Sequence, residues 1–252
     1  MEENHVWSLQ LVGPWRLGGP DGTVRVATRQ QRLISLLALQ GPRPRAVLAG
    51  ILWPESTERQ ASGSLRESLW TINHQLPGLL EDSGRAVALA PGVLVDAIEI
   101  RRDAAALPGR GATHAVRLLG RLRDSVLLPG SYQDWVLAEQ DRWTRLRLRA
   151  LEGLAERFLD TGQGVLAADA AQCAVDLDPW RESAVGLLLR AHLSSGEHLR
   201  AAQLLADFSV RLRDEFGVEP SRGLSSLVAP LPAVWPTETP VHARPRLSPA
   251  RA

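Results

Sequence analysis

The stretch "SLRESLWTINHQL", residues 64–76, decides the fold of the N-terminal half of the chain. Its apolar residues recur at steps of four, three and four, which is the spacing of one face of an α-helix. These residues are Leu65, Leu69, Ile72 and Leu76. The opposite face carries the large aromatic side chain of Trp70 among polar groups. The pattern predicts an amphipathic helix over 58–76, ended by Pro77-Gly78.

The residues before this helix predict short strands followed by two more helices. Residues 6–26 alternate between apolar and polar side chains and contain the turn sequence "GGPDG". We therefore expect two or three short antiparallel strands. Thr28 is expected to cap a helix that closes at Gly41. A shorter helix, "AVLAGILW", follows and is ended by Pro54.

The residues after the 58–76 helix predict a β-hairpin. In "RAVALAPGVLVDAIEI", residues 85–100, two apolar runs flank Pro91-Gly92, which is the pattern of two short strands joined by a turn. Strands, three helices and a hairpin, in that order, make a winged helix-turn-helix domain. In that fold the third helix enters the major groove of DNA and the hairpin is the wing. We place this domain at residues 5–101.

The following residues, 102–228, are predicted to be all helical and contain an internal repeat. At an offset of 34 residues, Ala150 matches Ala184 and Gly162 matches Gly196. This period, with a helix–glycine turn–helix layout, is the signature of tetratricopeptide repeats, whose helix pairs stack through a shared core. The expected fold class is mainly α with a small β part: a winged helix-turn-helix domain followed by an all-α tetratricopeptide-like domain.

Charge restricts where a nucleic acid could bind. The 252-residue chain has a net charge of +1, and all 29 of its basic residues are arginine. Within residues 1–101, ten arginines are balanced by ten acidic residues. The chain as a whole therefore lacks the signature of a polyanion-binding protein, and any site for DNA must be a local patch.

The compartment and the end of the chain are predicted from composition. The single cysteine, Cys173, cannot form an intrachain disulfide, which suits a reducing compartment. The sequence shows neither a secretory signal nor a membrane span, so we expect a cytoplasmic protein that does not bind a membrane. Residues 229–252 hold many prolines and little apolar periodicity, which predicts a disordered tail.

Nothing in the sequence indicates catalysis. The six histidines are scattered, without carboxylates or cysteines at metal-ligand spacing. Neither a G-x-S-x-G motif nor paired catalytic carboxylates stand out, and no GxxxxGK[ST] loop is present for a nucleotide. We therefore expect a protein that is not an enzyme and holds no metal ion and no cofactor.

Several stretches resemble a known family. "ILWPE" at 51–55, followed by "SLRESLW" at 64–70, looks like the N-terminal half of the Streptomyces antibiotic regulatory protein (SARP) family. "LLPGSYQDWVLAEQDRW" at 127–143 is similar to the bacterial transcriptional activator domain that follows it there. "DLDPWRESA" at 176–184 and "RDEFGVEPS" at 213–221 are further marks of that domain. Together these motifs cover nearly the whole chain except the tail.

The resemblance implies a small transcriptional activator with an OmpR-type winged helix. Such proteins bind double-stranded promoter DNA, often at direct repeats, and contact RNA polymerase. Binding to direct repeats would place two protomers head to tail, as a homo-oligomer on DNA. The family commonly ends its recognition helix in an arginine-rich run, whereas here the matching stretch is "WTINHQL", residues 70–76.

The face of the 58–76 helix opposite its apolar stripe is the candidate base-reading surface. A glycine there allows close approach of the backbone, an arginine can reach phosphate or guanine, and a glutamate can accept a hydrogen bond from cytosine. An indole or a threonine methyl group can pack on a sugar or on the methyl group of thymine. The candidate residues are Ser62, Gly63, Arg66, Glu67, Trp70, Thr71 and His74.

Arginines near the helix starts and the wing are the candidate phosphate contacts, because backbone contacts in winged helices fall there. They are Arg29, Arg32, Arg43, Arg45, Arg59 and Arg85. Each true contact adds roughly one unit to the salt dependence of binding. The alternative interpretation is a solvated helix face, with Trp70 packed on the wing and ordinary surface arginines.

Two functions remain open from the sequence. The first is a sequence-specific activator of a biosynthetic gene cluster that recruits RNA polymerase. The second is a tetratricopeptide adaptor whose winged helix no longer reads DNA, which the arginine-poor helix favours. Salt-dependent binding to a short duplex, and its sensitivity to Arg66, separates the two.

Overall fold

The computed structural model describes residues 7–228, and they begin with three short antiparallel strands, as predicted. These are β1 (Ser8–Gln10), β2 (Arg16–Gly19) and β3 (Gly22–Val24). Leu9 and Leu17 face each other across β1 and β2 and are buried, whereas Ser8 is exposed. The alternation therefore gives the meander one core face and one solvent face.

Three helices follow the meander. They are α1 (Thr28–Gln40), α2 (Arg45–Leu52) and α3 (Glu58–Gln75). The prediction that Thr28 caps α1 is wrong, because Ala27 is the N-cap residue and Thr28 is the first helical residue. Ala27 has the extended backbone of a cap, and its carbonyl oxygen accepts the amides of Gln30 and Gln31. The helix thus begins without a side-chain cap.

The wing is a hairpin, but it lies earlier in the chain than predicted. Its strands are β4 (Leu80–Asp82) and β5 (Val87–Leu89). The turn runs through residues 83–86 and not through Pro91-Gly92. Gly84 has a φ of +77° there, and its amide donates to the Asp82 carboxylate at 2.9 Å. This local hydrogen bond and the positive φ fix the turn at the polar sequence before the second strand.

The apolar run after the wing joins the N-terminal sheet. Strand β6 (Leu94–Val95) pairs in parallel with β1, which gives the order β3-β2-β1-β6. The segment "DAIEI", residues 96–100, which was included in the predicted hairpin, is helical instead. The Asp96 carboxylate accepts the backbone amides of Leu11 at 2.9 Å and Val12 at 3.0 Å. These hydrogen bonds hold the residue after β6 against the residues after β1. The apolar run therefore pairs with the N-terminal sheet and not with the wing.

The rest of the described chain is helical, as predicted. Its α-helices are α4 (Asp96–Ala105), α5 (Ala112–Arg123), α6 (Asp134–Asp160), α7 (Gly164–Leu177), α8 (Glu182–Ser194), α9 (His198–Phe216) and α10 (Arg222–Ser226). The predicted repeat is confirmed, because the second half of α6 pairs with α7 as α8 pairs with α9. Gly162 and Gly196 turn each pair with φ of +71° and +74°. The matched alanines Ala167 and Ala201 are fully buried between the helices.

The winged helix and the helical part share a packed junction. The Gly13 amide donates to the Val126 carbonyl oxygen at 2.8 Å, next to the N-terminal sheet. The buried carboxylate of Glu139 on α6 accepts a hydrogen bond from Gln40 of α1 at 3.3 Å. It also pairs with Arg101 of α4 at 3.6 Å. The helical part therefore contacts the C-terminal end of α1.

Helix α4 crosses the boundary that the sequence suggested between residues 5–101 and 102–228. The tail 229–252, for which the sequence predicts disorder, lies outside the described residues. None of the helices within residues 7–228 is both long and apolar enough to span a membrane.

Candidate nucleic-acid interface

Helix α3 is held by a cap at its start and by its apolar stripe. Thr57 and Gln60 form a capping box: the Thr57 hydroxyl accepts the Gln60 amide at 3.4 Å, and the Gln60 side chain accepts the Thr57 amide at 3.1 Å. The four apolar residues of the predicted stripe are all buried. The helix therefore keeps one face in the core and the other in solvent.

The solvent face of α3 consists of one arc of exposed side chains. The exposed Glu67 lies at its edge, and its other members are Arg59, Arg66, Trp70, Asn73 and His74. At 100° per residue they span an arc of about 100°. The side chains of Arg59, Arg66 and Asn73 form no hydrogen bond with any residue of 7–228. Asn73 was not among the predicted base-reading residues, although its spacing of seven from Arg66 places it on the same side of the helix.

The aromatic rings of Trp70 and His74 stack on each other on this face. The indole is 67% exposed, and it stacks on the imidazole with ring centroids 5.3 Å apart and planes only 6° apart. Residues four apart in a helix lie above one another, so the helix itself brings the two rings together. Trp70 is therefore not buried against the wing, as the alternative interpretation had it.

Three further predicted residues belong to this side of α3: Gly63 lies within the arc of the solvent face, and Ser62 and Thr71 lie at its margins. Ser62, Gly63 and Thr71 are half-buried, and the Thr71 hydroxyl donates to the Glu67 carbonyl oxygen at 2.9 Å. A Cβ at Gly63 would meet no atom of the described chain within 4 Å. Packing within the protein therefore does not require glycine at this position, and its absent side chain leaves room for an external partner.

Arg29 and Glu67, both predicted to contact DNA, contact each other. The Arg29 guanidinium donates to the Glu67 carboxylate at 2.9 Å and to the Ser64 carbonyl oxygen at 3.0 Å. Its carbon Cζ also lies 5.3 Å from the ring centroid of Trp53, a cation–π distance. Arg29 thus joins the start of α1 to the middle of α3.

Among the remaining candidate arginines, two are engaged by other residues and one is exposed. Arg45 forms an ion pair with Asp82 of the wing, and the hydrogen bond from Arg45 holds the pKa of that carboxyl below its ordinary value. Arg32 donates to the Leu52 carbonyl oxygen at 2.9 Å. Arg85 is exposed in the turn of the wing.

Arg43 supports the wing through its backbone. Its amide donates to the Val87 carbonyl oxygen at 3.0 Å, and its carbonyl oxygen accepts the Val87 amide at 2.9 Å. The loop between α1 and α2 thereby adds an isolated bridge to β5. This bridge fixes the wing relative to the helices, a contact between residues far apart in sequence that no local pattern signals.

Metal-ligating side chains do not cluster in the described residues, and the cysteine there is partly shielded from solvent. No three His, Cys, Asp or Glu side chains gather at metal-binding distance within residues 7–228. Cys173 is half-buried on α7, and burial raises the pKa of its thiol. A raised thiol pKa leaves less of the reactive thiolate at neutral pH.

Comparison with known proteins identifies the helical part. The family model of the bacterial transcriptional activator domain matches residues 96–231, which is more than half of the chain. The chain belongs to this family. The match begins at the first residue of α4 and takes in the repeat helices, so the family of transcriptional regulators predicted from the sequence is confirmed.

Two relatives extend the likeness to the winged helix. Regulatory protein AfsR of Streptomyces coelicolor is 32% identical over 239 residues, which cover 90% of this chain and 24% of AfsR. The chain thus spans about a quarter of the length of that relative. The structure of EmbR from Mycobacterium tuberculosis, in complex with a low-affinity phosphopeptide, has a TM-score of 0.74 at 16% identity, covering 90% of this chain and 65% of that one. At this identity the likeness concerns the fold alone.

Proposed function

We propose that this chain is a sequence-specific DNA-binding activator of transcription that inserts α3 into the major groove. One observation carries the proposal: Arg66 and Asn73 lie on the same exposed side of α3, and neither side chain is hydrogen-bonded within residues 7–228. Arginine pairs bidentately with guanine, and asparagine with adenine. In a winged helix the third helix enters the major groove, so the exposed side of α3 would face the base edges.

The proposed phosphate contacts lie at the two ends of this surface. Arg59 is exposed in the first turn of α3, and Arg85 is exposed in the turn between β4 and β5. Guanidinium groups in these places would fix the register of α3 in the groove without reading sequence. Arg29 and Arg45 are proposed to act differently, because each already has an acidic partner within the protein.

The helical part is proposed to supply the contact with RNA polymerase. It belongs to a family of bacterial transcriptional activators, and the junction at Glu139 attaches it firmly to the winged helix. Holding polymerase near the promoter would raise its local concentration without any chemical step. A second protomer on a direct repeat would bind head to tail.

Selection from a random-sequence duplex pool, followed by fluorescence anisotropy, tests DNA reading. We expect one selected duplex to bind at least about a thousandfold more tightly than its scrambled version at physiological salt. The measurement at several salt concentrations separates base contacts from phosphate contacts. Run-off transcription with purified polymerase then tests activation, and the template with the scrambled site is the control.

The adaptor remains the second candidate, because a specific observation favours it. Two of the candidate arginines, Arg29 and Arg45, are paired within the protein, and residues 1–101 carry no net charge. An adaptor would enrich no sequence from the pool and would show no binding even at low salt. That result would overturn the activator proposal.

A further inference from the structure

We propose that Trp70 is a specificity residue that reads thymine through contact between its indole face and the 5-methyl group. The inference rests on the proposed DNA-binding function and deepens it, since it names the base and the chemical group that selects it. It starts from a feature that the contacts within the protein do not explain: a large indole that is 67% exposed on an otherwise polar face.

The position of Trp70 directs the indole toward base edges. At 100° per residue, Trp70 lies about 40° from Arg66 and about 60° from Asn73 around the axis of α3. The indole therefore sits within the same arc as the two side chains that can pair with bases. A docking of α3 that brings Arg66 and Asn73 to the floor of the major groove brings the indole there as well.

The stack on His74 prepares the indole for this contact. The two rings are nearly parallel, with 6° between their planes and 5.3 Å between centroids. One face of the indole is thus covered by the imidazole, which restricts its rotation before DNA binds. A side chain that is already ordered loses less conformational freedom on binding, so more of the contact energy appears as affinity.

The chemistry of the indole face favours thymine. Thymine is the base that presents a methyl group in the major groove, whereas cytosine presents an amino donor near the same edge. The indole has no hydrogen-bond acceptor. An amino group of cytosine placed against it would exchange its hydrogen bonds with water for a weak N–H···π contact, which is unfavourable.

Replacing thymines of the selected duplex by deoxyuridine, one at a time, tests the inference. Each replacement removes one methyl group and leaves the pairing edge unchanged. For the native chain we expect affinity to fall about fourfold at one position, the effect of one buried methyl-sized group, and to stay constant at the others. For Trp70→Ala we expect equal affinity for thymine and uracil at that position.

Two further variants control the experiment. Trp180 offers a matched indole, 40% exposed in the helical part and packed edge-on against Phe216. Trp180→Ala should keep the full difference between thymine and uracil. Trp70→Phe retains an aromatic face and should keep most of the difference.

The outcomes separate this inference from the function on which it rests. Selective binding by the native chain with no loss on uracil at any position overturns the reading of thymine and leaves DNA recognition intact. Equal weakening of the thymine and uracil duplexes by Trp70→Ala, with the difference between them retained, places the indole on a sugar and also overturns the inference. Absence of selective binding to any duplex overturns the proposed function, and this inference with it.

Discussion

Arg147 of the helical part and Arg66 of the winged helix are two arginines in opposite surroundings. Arg147 of α6 is buried, and its guanidinium donates to the carbonyl oxygens of Leu122 and Arg123 at 2.7 to 3.1 Å. Arg66 of α3 is exposed and forms no hydrogen bond with residues 7–228. The end of α5 leaves carbonyl oxygens without helical partners, which Arg147 satisfies. An arginine with no such acceptor nearby is available for an external partner.

The largest effect on stability is expected from Arg147→Ala. The truncation removes the side-chain donor of the Arg123 carbonyl oxygen and leaves the Leu122 carbonyl oxygen with the Ser125 hydroxyl at 3.2 Å, and it opens a void beside α6. We expect the free energy of unfolding to fall by about 3 kcal/mol, with unchanged binding of selected DNA by the folded fraction. Urea denaturation followed by circular dichroism measures the loss.

Arg149→Ala is the matched control for that loss, because Arg149 lies two residues further along α6 and is exposed. Burial lowers the pKa of Arg147, because the charged guanidinium loses contact with water there. A loss for Arg147→Ala no larger than that for Arg149→Ala would show that these hydrogen bonds add nothing to folding.

The reverse result is expected for Arg66→Ala, which should weaken specific DNA binding by about 1–3 kcal/mol, or roughly fivefold to 150-fold. Its midpoint of thermal unfolding should stay constant, because the side chain has no partner in the described protein. Arg211→Ala, an exposed arginine of α9, should change neither quantity. Unchanged affinity on the selected duplex would remove Arg66 from the interface.

The features that could be predicted from the sequence are those whose residues recur at a regular spacing along the chain. The stripe from Leu65 to Leu76 and the 34-residue repeat are visible because a helix and a helix pair impose their spacing on neighbouring residues. The stack of Trp70 on His74 follows the same spacing of four, although it was not predicted. These elements needed no knowledge of the rest of the molecule.

The features that the sequence missed depend on distant partners. Both "SGRA", residues 83–86, and Pro91-Gly92 can form turns, and the choice between them depends on the edge of β1, which β6 joins. The ion pair of Arg29 with Glu67 spans 38 residues. No local pattern reveals that two residues predicted to face DNA are each other's partners.

Arg29→Ala tests whether Arg29 stabilises the fold, as Arg147 does, or contacts DNA, as is proposed for Arg66. If Arg29 holds α3 in place, the free energy of unfolding should fall by about 0.5–1 kcal/mol, as for a partly exposed ion pair. The salt dependence of DNA binding should then be unchanged, because no phosphate contact is lost. A salt slope lower by about one unit would show a phosphate contact instead.

The smallest effect is expected from the pH dependence of the Glu152–Arg181 pair in the helical part. Arg181 donates to the Glu152 carboxylate at 2.7 and 2.9 Å, and the Ser183 hydroxyl also donates to it. Burial favours the protonated carboxyl, but these hydrogen bonds outweigh it and place the pKa of Glu152 below its ordinary value. The folded state thus binds this proton less readily than the unfolded state does.

The sign of the effect follows from that lowered pKa. The stabilisation is fully present above the ordinary glutamate pKa of about 4.3 and is lost as the pH falls through the pKa of the folded state. Because Arg181 is partly exposed, we expect under about 1 kcal/mol. The gap in unfolding free energy between the native chain and Glu152→Gln should therefore shrink between about pH 5 and pH 3. Glu156→Gln, an exposed residue on the same helix, is the control. A gap that stays constant over this range would mean that Glu152 contributes by packing and not by its charge.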